Sequence, residues 1–234
     1  MNDDWTLGLA ASAKDSAYAG EGVRIRPFPL VSYKGERVHF SGVTLGLHLL
    51  QRRNFTLDAV VSGRFDGFDS KDLGRLELER NGVDIDRLAD RDPAADAGFE
   101  ARWTSSHGDL RLRALADITD VSGGYELSAQ YGYRFQLGKT TVIPGIGVRW
   151  MSDDLADYYY GIRSNETFSG ASYQPGSALV PEAGVVLNRA LVGQWRLHAL
   201  LQYQFLPDAL ADSPLLERDS RGVGHLVIGM SRSF

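Results

Sequence analysis

Alternation constrains this chain more than any other feature. In "GYELSAQYGYRFQLG" one face carries Tyr125, Leu127, Ala129, Tyr131, Tyr133, Phe135 and Leu137. The other carries Glu126, Ser128, Gln130, Gly132, Arg134 and Gln136. A helix repeats every 3.6 residues and cannot sort side chains this way; a strand, with a period of two, does so automatically. "QWRLHALLQYQF", "DLRLRALADIT", "FTLDAVVSGRF" and "GFEARW" follow the same rule. So does the closing "HLVIGMSRSF", where Leu226, Ile228, Met230 and Phe234 share a face and Arg232 departs from it. Tight connections such as "YKGE" (33–36), "QRRN" (51–54), "SSHG" (105–108), "LGKT" (137–140) and "LVGQ" (191–194) separate the runs. Long connections at 13–21, 67–94, 153–175 and 207–220 alternate with them. No helix of convincing length is expected; "LGRLELERNGVDIDRLADR" holds a turn or two within a loop. The pattern reads as an all-β, antiparallel protein, with residues 1–234 forming one domain.

Alternation leaves open which face is wet. In a soluble barrel the apolar rows fill the interior; in a membrane barrel they face lipid and the polar rows line the lumen. Three features favour the membrane case. Most runs are long enough for the ~9–11 residues a tilted strand needs to cross the hydrocarbon. Lysine occurs only at 14, 34, 71 and 139, positions assigned to connections, while the polar faces carry Arg, Glu, Asp, His and Gln. Aromatic residues gather near run ends, among them Trp5, Tyr33, Phe65, Trp103, Tyr125, Phe135, Trp150, Trp195, Phe205 and Phe234. That is where an amphipathic ring is most stable, at headgroup depth. No stretch approaches the ~20 apolar residues of a membrane-crossing helix. The expected fold is therefore a transmembrane β-barrel of the Gram-negative outer membrane.

A single-chain bacterial barrel has an even strand number, with short periplasmic turns and long extracellular loops. Counting back from a descending last strand reaches twelve only if 36–50 is split near Gly42; ten is the fallback. The beginning "MNDDWTLGLA" has no basic stretch followed by an apolar one, which fits either a protein that is not secreted or a mature form with an added Met and no leader; an outer-membrane barrel implies the second. With no cysteine, disulfides and thiolate metal sites are excluded. The net charge of −5 argues against a nucleic-acid partner.

The polar faces supply the candidate lumen network: Arg64, Glu100, Arg102, Arg111, Arg113, Asp117, Glu126, Arg134, Arg149 and Arg196, together with Arg24, Arg26 and Asp58. One reading is a paired network filling a narrow barrel, because buried charges must be paired. Another is the wall of an anion-preferring pore for small solutes. The paired network is favoured. A lipid- or lipopolysaccharide-modifying enzyme would need a nucleophile and an oriented base at the rim. His39, His48, His107, His198 and His225 form no local cluster of that kind, so no catalytic residue, metal ligand or cofactor is assigned. Tyr158, Tyr159 and Tyr160 are a candidate aromatic surface in an outer loop, but packing of that loop over the barrel mouth or into the upper aromatic girdle is favoured. The acidic stretch "DIDRLADRDPAADAG" is expected to be a solvated loop.

"RIRPFPLVSYKGERVHF" followed by "GVTLGLHLLQRRNFTLDAVVS" resembles the opening of the MipA/OmpV family of outer-membrane proteins. "DYYYGI" (157–162), "YQPG" (173–176) and "DSPLL" (212–216) extend the likeness in order along the chain. The resemblance implies an outer-membrane barrel without enzymatic activity. It also implies a scaffold role, bringing together a lytic murein transglycosylase and a peptidoglycan synthase in peptidoglycan remodelling. The alternating end with Phe234, Met230 and Ile228 resembles the signal read by the barrel-assembly machinery. Outer-membrane lipid and lipopolysaccharide are the expected surroundings.

Overall fold

The computed structural model describes residues 4–234. Its strands are β1 (Asp4–Asp15), β2 (Val23–Lys34), β3 (Val38–Ser41), β4 (Thr44–Arg52), β5 (Phe55–Arg64) and β6 (Ala94–Ser105). There follow β7 (Gly108–Asp117), β8 (Tyr125–Gly132, resuming at Phe135–Leu137), β9 (Thr140–Met151), β10 (Ala178–Ala190), β11 (Trp195–Phe205) and β12 (Gly222–Ser233). Each pairs antiparallel with the next, and β12 pairs with β1 from Thr6↔Ser233 to Lys14↔His225. The result is a closed antiparallel barrel of twelve strands. Closure pairs each strand with a neighbour on both sides, as hydrocarbon requires, although the four-residue β3 covers only the Ser32–Lys34 end of β2. No helix among the described residues is long and apolar enough to cross a membrane.

The split near Gly42 is real and has a local cause. Ser41 pairs with Thr44 across a two-residue turn, and Gly42 takes φ +62°, a left-handed conformation that glycine adopts without steric cost. β8 is interrupted at Tyr133–Arg134 for an equally local reason. Tyr133 N–H donates to Pro144 O (3.0 Å), but proline has no N–H to return the bond. Lys14 and Lys34, assigned to connections from the sequence, instead close the ends of β1 and β2.

The apolar rows face outward. Leu9, Ile25, Phe99, Ile146, Leu201 and Ile228 are all more than half exposed, whereas Asp58, Arg64, Asp96, Glu100 and Glu126 are buried. This inverts a soluble core and matches a lipid-facing wall around a polar lumen. Aromatic pairs ring the short-turn end: Trp5–Tyr33 (4.8 Å between centroids), Phe55–Trp103 (4.6 Å) and Tyr133–Phe135 (4.8 Å). Tyr125–Trp150 (5.4 Å) and Tyr203–Phe205 (4.9 Å) mark the long-loop end. The two rings bracket the apolar band, as interfacial aromatics do.

The long connections do not stand away from the barrel. They carry α1 (Arg75–Arg80), α2 (Asp153–Tyr160) and α3 (Asp208–Ala211), and fold into a common apolar core. α2 was not expected from the sequence. Ser152 caps it, its Oγ accepting from Leu155 N–H (3.3 Å), and Leu155, Ala156 and Tyr159 give it a buried face.

Candidate functional site

Four long connections meet over one mouth of the barrel. Tyr18, Phe68, Leu78, Val83, Leu155 and Tyr159 are among the residues that exclude water there. Short bridges stitch the connections together: Tyr18 to Leu216, Phe68 to Arg91, Val83 to Thr167 and Ile162 to Tyr173. Asn81 Nδ2 donates to Pro214 O and Leu216 O, both at 3.0 Å, tying the end of α1 to the last loop. Tyr18 Oη donates to Tyr159 O (3.1 Å) and Asp66 O (3.2 Å).

One buried ion pair pins this cap. Arg91 Nη2 lies 3.0 Å from Glu166 Oε2 and Nη1 lies 3.1 Å from Oε1, a bidentate contact with both side chains almost wholly buried. The guanidinium also donates to the carbonyls of Tyr158 (2.8 Å), Ala89 (2.7 Å) and Gly161 (3.3 Å). Glu166 in turn accepts from Arg163 N–H (2.9 Å) and Ala89 N–H (3.2 Å). Burial pushes the Glu166 carboxyl up, but the Arg91 and backbone donors outweigh it and hold it below the usual range. Every charge in the pair has a geometric answer, which is the condition for burying one.

The outer-loop tyrosines are part of this cap and do not form an exposed surface. Tyr159 is fully buried, and Tyr158 and Tyr160 are half-buried. The i, i+4 geometry of α2 turns Tyr159 into the core with Leu155, while Tyr158 Oη accepts from Asp92 N–H (2.9 Å).

Beneath the cap the lumen network divides into clusters. Arg64 is shared by Asp96 (2.6 Å), Glu126 (2.9 Å) and Asp66 (3.4 Å). Arg149 joins it through Asp66 (3.4 Å) and Glu126 (3.6 Å). Burial raises the Asp66 carboxyl, yet Lys14, Arg149 and Arg64 overcome that and hold it well below the carboxylate range. Lower down, Glu100 is gripped by Arg102 (2.7 Å), Arg113 (3.3 Å) and Arg111 (3.7 Å). Glu182 accepts from Gln130 (2.6 Å) and Gln202 (2.8 Å).

The remaining candidates lie elsewhere. Asp117 holds the short outer turn, accepting from the N–H groups of Thr119 (2.8 Å), Ser122 (2.6 Å) and Gly123 (3.1 Å). Arg134 pairs with Asp109 (3.1 Å) near the short turns. Arg196 is exposed and has no ionic partner among the described residues.

Three residues meet that the sequence kept apart. His48 Nδ1 lies 2.6 Å from Asp58 Oδ1, and the His39 ring stacks on His48 at 4.8 Å. Their possible ligand atoms lie within 4.8 Å of one another, a donor set that suits a divalent cation. Spacing along the chain hides this, because β3, β4 and β5 each give one member. Only the register, with His39 opposite Gly46 and His48 opposite Asp58, assembles it. Asp96 and Glu182 were readable from parity, lying in step with Glu100 and Gly184; Asp66 returns from a loop and left no such trace.

A cavity of about 550 Å³ occupies the lower lumen, lined by Arg111, Gln130, Glu182 and Gln202. It extends to Thr104, Asp109 and Arg134 beside the short turns. The barrel is thus sealed at one end by a packed cap and hollow at the other.

A family model described as MltA-interacting protein MipA matches residues 7–234. The chain is 29% identical over 219 residues to the putative outer membrane protein YiaT of Escherichia coli (strain K12), covering 92% of this chain and 85% of that one. It is 26% identical over 221 residues to the MltA-interacting protein of the same strain, covering 94% and 86%. Among solved structures, the COG4313 outer membrane channel from Pseudomonas putida F1 is 14% identical with a TM-score of 0.48, over 99% and 95% of the two chains.

Proposed function

The chain belongs to the MltA-interacting protein MipA family and is an outer-membrane β-barrel, and from that premise we propose that it is a non-enzymatic envelope scaffold. The observation that carries this reading is the cap. A mouth filled by Leu78, Leu155, Tyr159, Leu210 and Leu215, all fully buried, and locked by Arg91–Glu166 is built to stay shut. The arginines that suggested an anion pore are mostly bound to carboxylates, three of them to Glu100 alone. What remains available is the periplasmic end, with its rigid short turns and hollow floor. A relative of similar length is named for interacting with MltA, and the proposed partner is accordingly a lytic murein transglycosylase, with a peptidoglycan synthase as the second.

The test pairs two measurements on the purified barrel. Crosslinking in native envelopes is expected to capture a lytic transglycosylase, identified by mass spectrometry, and planar bilayers are expected to show no channel steps. Regular open-channel steps without that capture would establish the solute channel instead.

The same reading extends to the C-terminal strand. Phe234 N–H donates to Trp5 O (2.9 Å) at the periplasmic rim, while Met230 and Ile228 face lipid. Phe234→Ala is expected to lower the amount of heat-modifiable barrel in cell envelopes severalfold and to leave refolding into detergent nearly unchanged. Equal loss in both would assign Phe234 to stability alone.

A further inference from the structure

Among the described residues, the barrel wall opens beside β2. β3 pairs with β2 only at Ser32–Lys34, so β2 from Val23 to Leu30 has no strand on that side. Val31 O accepts from Gly42 N–H (3.3 Å), which sets the direction of the ladder. In an antiparallel strand the N–H and C=O of one residue face the same neighbour. The odd-numbered peptide groups of β2 therefore face the break. Two of these residues are Pro27 and Pro29, which have no N–H. An unmet donor in hydrocarbon carries the full desolvation penalty of the group. Proline at an open edge removes that cost at its source. The turn at Gly42–Val43 forms the floor of the opening, and Phe65 and Asp66 form its far side. Arg24 Nη1 closes the top by donating to Gly67 O (3.3 Å). The outward row Val23, Ile25, Pro27, Pro29 and Val31 carries no charge, so the opening sits at hydrocarbon depth.

What lies behind it has a polarity order. The inward row of β2 runs Arg24, Arg26, Phe28, Leu30 from the outer end downward. Arg26 borders a cavity of about 310 Å³ shared with Lys14, Ser12, His225 and Asp66. Arg24 is paired with Glu21 and Lys14 with Asp66 (3.7 Å), whereas Arg26 is exposed and has no anionic partner among the described residues. One step lower, Phe28 lies beside Ala10, and Leu30 packs over Gly229. A free cation stands above an apolar strip, next to a gap that opens on acyl chains. A lipid of the outer leaflet presents the same order, phosphate uppermost and chains below.

We propose that this opening binds a phosphate-bearing lipid of the outer leaflet. Its phosphate rests on Arg26 and Lys14, and one acyl chain crosses the Pro27–Pro29 edge onto Phe28 and Leu30. The site does not depend on the scaffold reading. Diphosphoryl lipid A is the probe, titrated onto the full chain in detergent and read by native mass spectrometry. Arg26→Gln is expected to weaken binding about tenfold, the worth of one charge-assisted contact. Arg26→Lys, which keeps the charge, should stay within about threefold by the same scale. Dephosphorylated lipid A should bind weakly and equally to both proteins, and inorganic phosphate should not displace lipid A. A photocrosslinking residue at Phe28 should label an acyl chain; one at Val186, on the inward face of β10, should not. Heat-modifiable migration confirms that each variant is folded. Unchanged lipid A binding in folded Arg26→Gln overturns the proposal, as does an unlabelled chain at Phe28. Displacement by inorganic phosphate would reassign the cavity to a soluble anion and equally defeat it.

Discussion

Replacing Arg91 with leucine is expected to unseat the cap while leaving the barrel intact. Glu166 is buried to 1% exposure and loses its bidentate partner, and the carbonyls of Tyr158, Ala89 and Gly161 lose their donor. Removing one member of a buried pair costs about 3–5 kcal/mol, because the other charge remains without compensation. The loops oppose that loss with their apolar core, the short bridges and the Asn81 and Tyr18 hydrogen bonds. Planar bilayers should then show channel steps absent from the unaltered protein, and proteases added outside should cut within 65–93 or 152–177. Heat-modifiable migration, which reports the barrel, should persist. Adding Glu166→Gln to Arg91→Leu should restore part of the seal, since the stranded charge is gone. A silent bilayer and protected loops in Arg91→Leu would show that the apolar core alone holds the mouth.

Acid acts on the same cap with a definite sign. Glu166 and Asp66 both have folded values below their unfolded ones. Their contribution is therefore complete above the unfolded carboxylate range of about 4, and is lost as pH falls through the folded values. Neutral and mildly acidic solutions should leave the mouth shut. Channel steps should arise only in stronger acid, and should reverse on neutralisation. Opening near pH 6 would point to a histidine and contradict this assignment.

The second large effect belongs to Arg64. Its guanidinium serves Asp96 and Glu126 at once, and all three side chains are buried. Arg64→Met keeps much of the volume but leaves Asp96 without its cation and Glu126 with only the longer contact to Arg149 (3.6 Å), a loss of about 3–5 kcal/mol. The urea midpoint of the barrel in lipid vesicles, followed by tryptophan fluorescence, should fall accordingly. Glu126→Gln in the same chain should recover part of it, because neighbouring charges in one network are not additive. A cost below about 1 kcal/mol, the range of a solvated surface pair, would mean that lumen water already screens these charges.

How far the sequence disclosed this depends on what each feature needs. Strand parity is a local property, so the Tyr125–Leu137 row and its polar opposite could be assigned to faces without coordinates. The polar composition of those faces then turned the apolar rows outward. Parity also found Glu100 and its arginines, which share one inward side across β6 and β7. The cap was not legible in this way. Arg91 and Glu166 lie in different loops, and their pairing depends on how two irregular segments fold back over the mouth. Which of the three tyrosines turns inward is not readable until α2 is known, because the burial of Tyr159 comes from helical period in a stretch with strands on both sides. The His39, His48 and Asp58 group needed the register across β3, β4 and β5, which the bulge between His48 and Leu50 shifts. Arg26 was assigned to the lumen face, but the open edge beside it follows from the shortness of β3, which only the pairing reveals.

The seam between β1 and β12 joins Thr6 to Ser233, almost the whole length of the polypeptide apart. A contact of such separation is entropically late, since loop closure grows costlier with every intervening residue. Until it zips, the sheet has two raw edges and a greasy exterior, each an invitation to aggregate. Maturation of this protein is therefore a race between sealing and sticking.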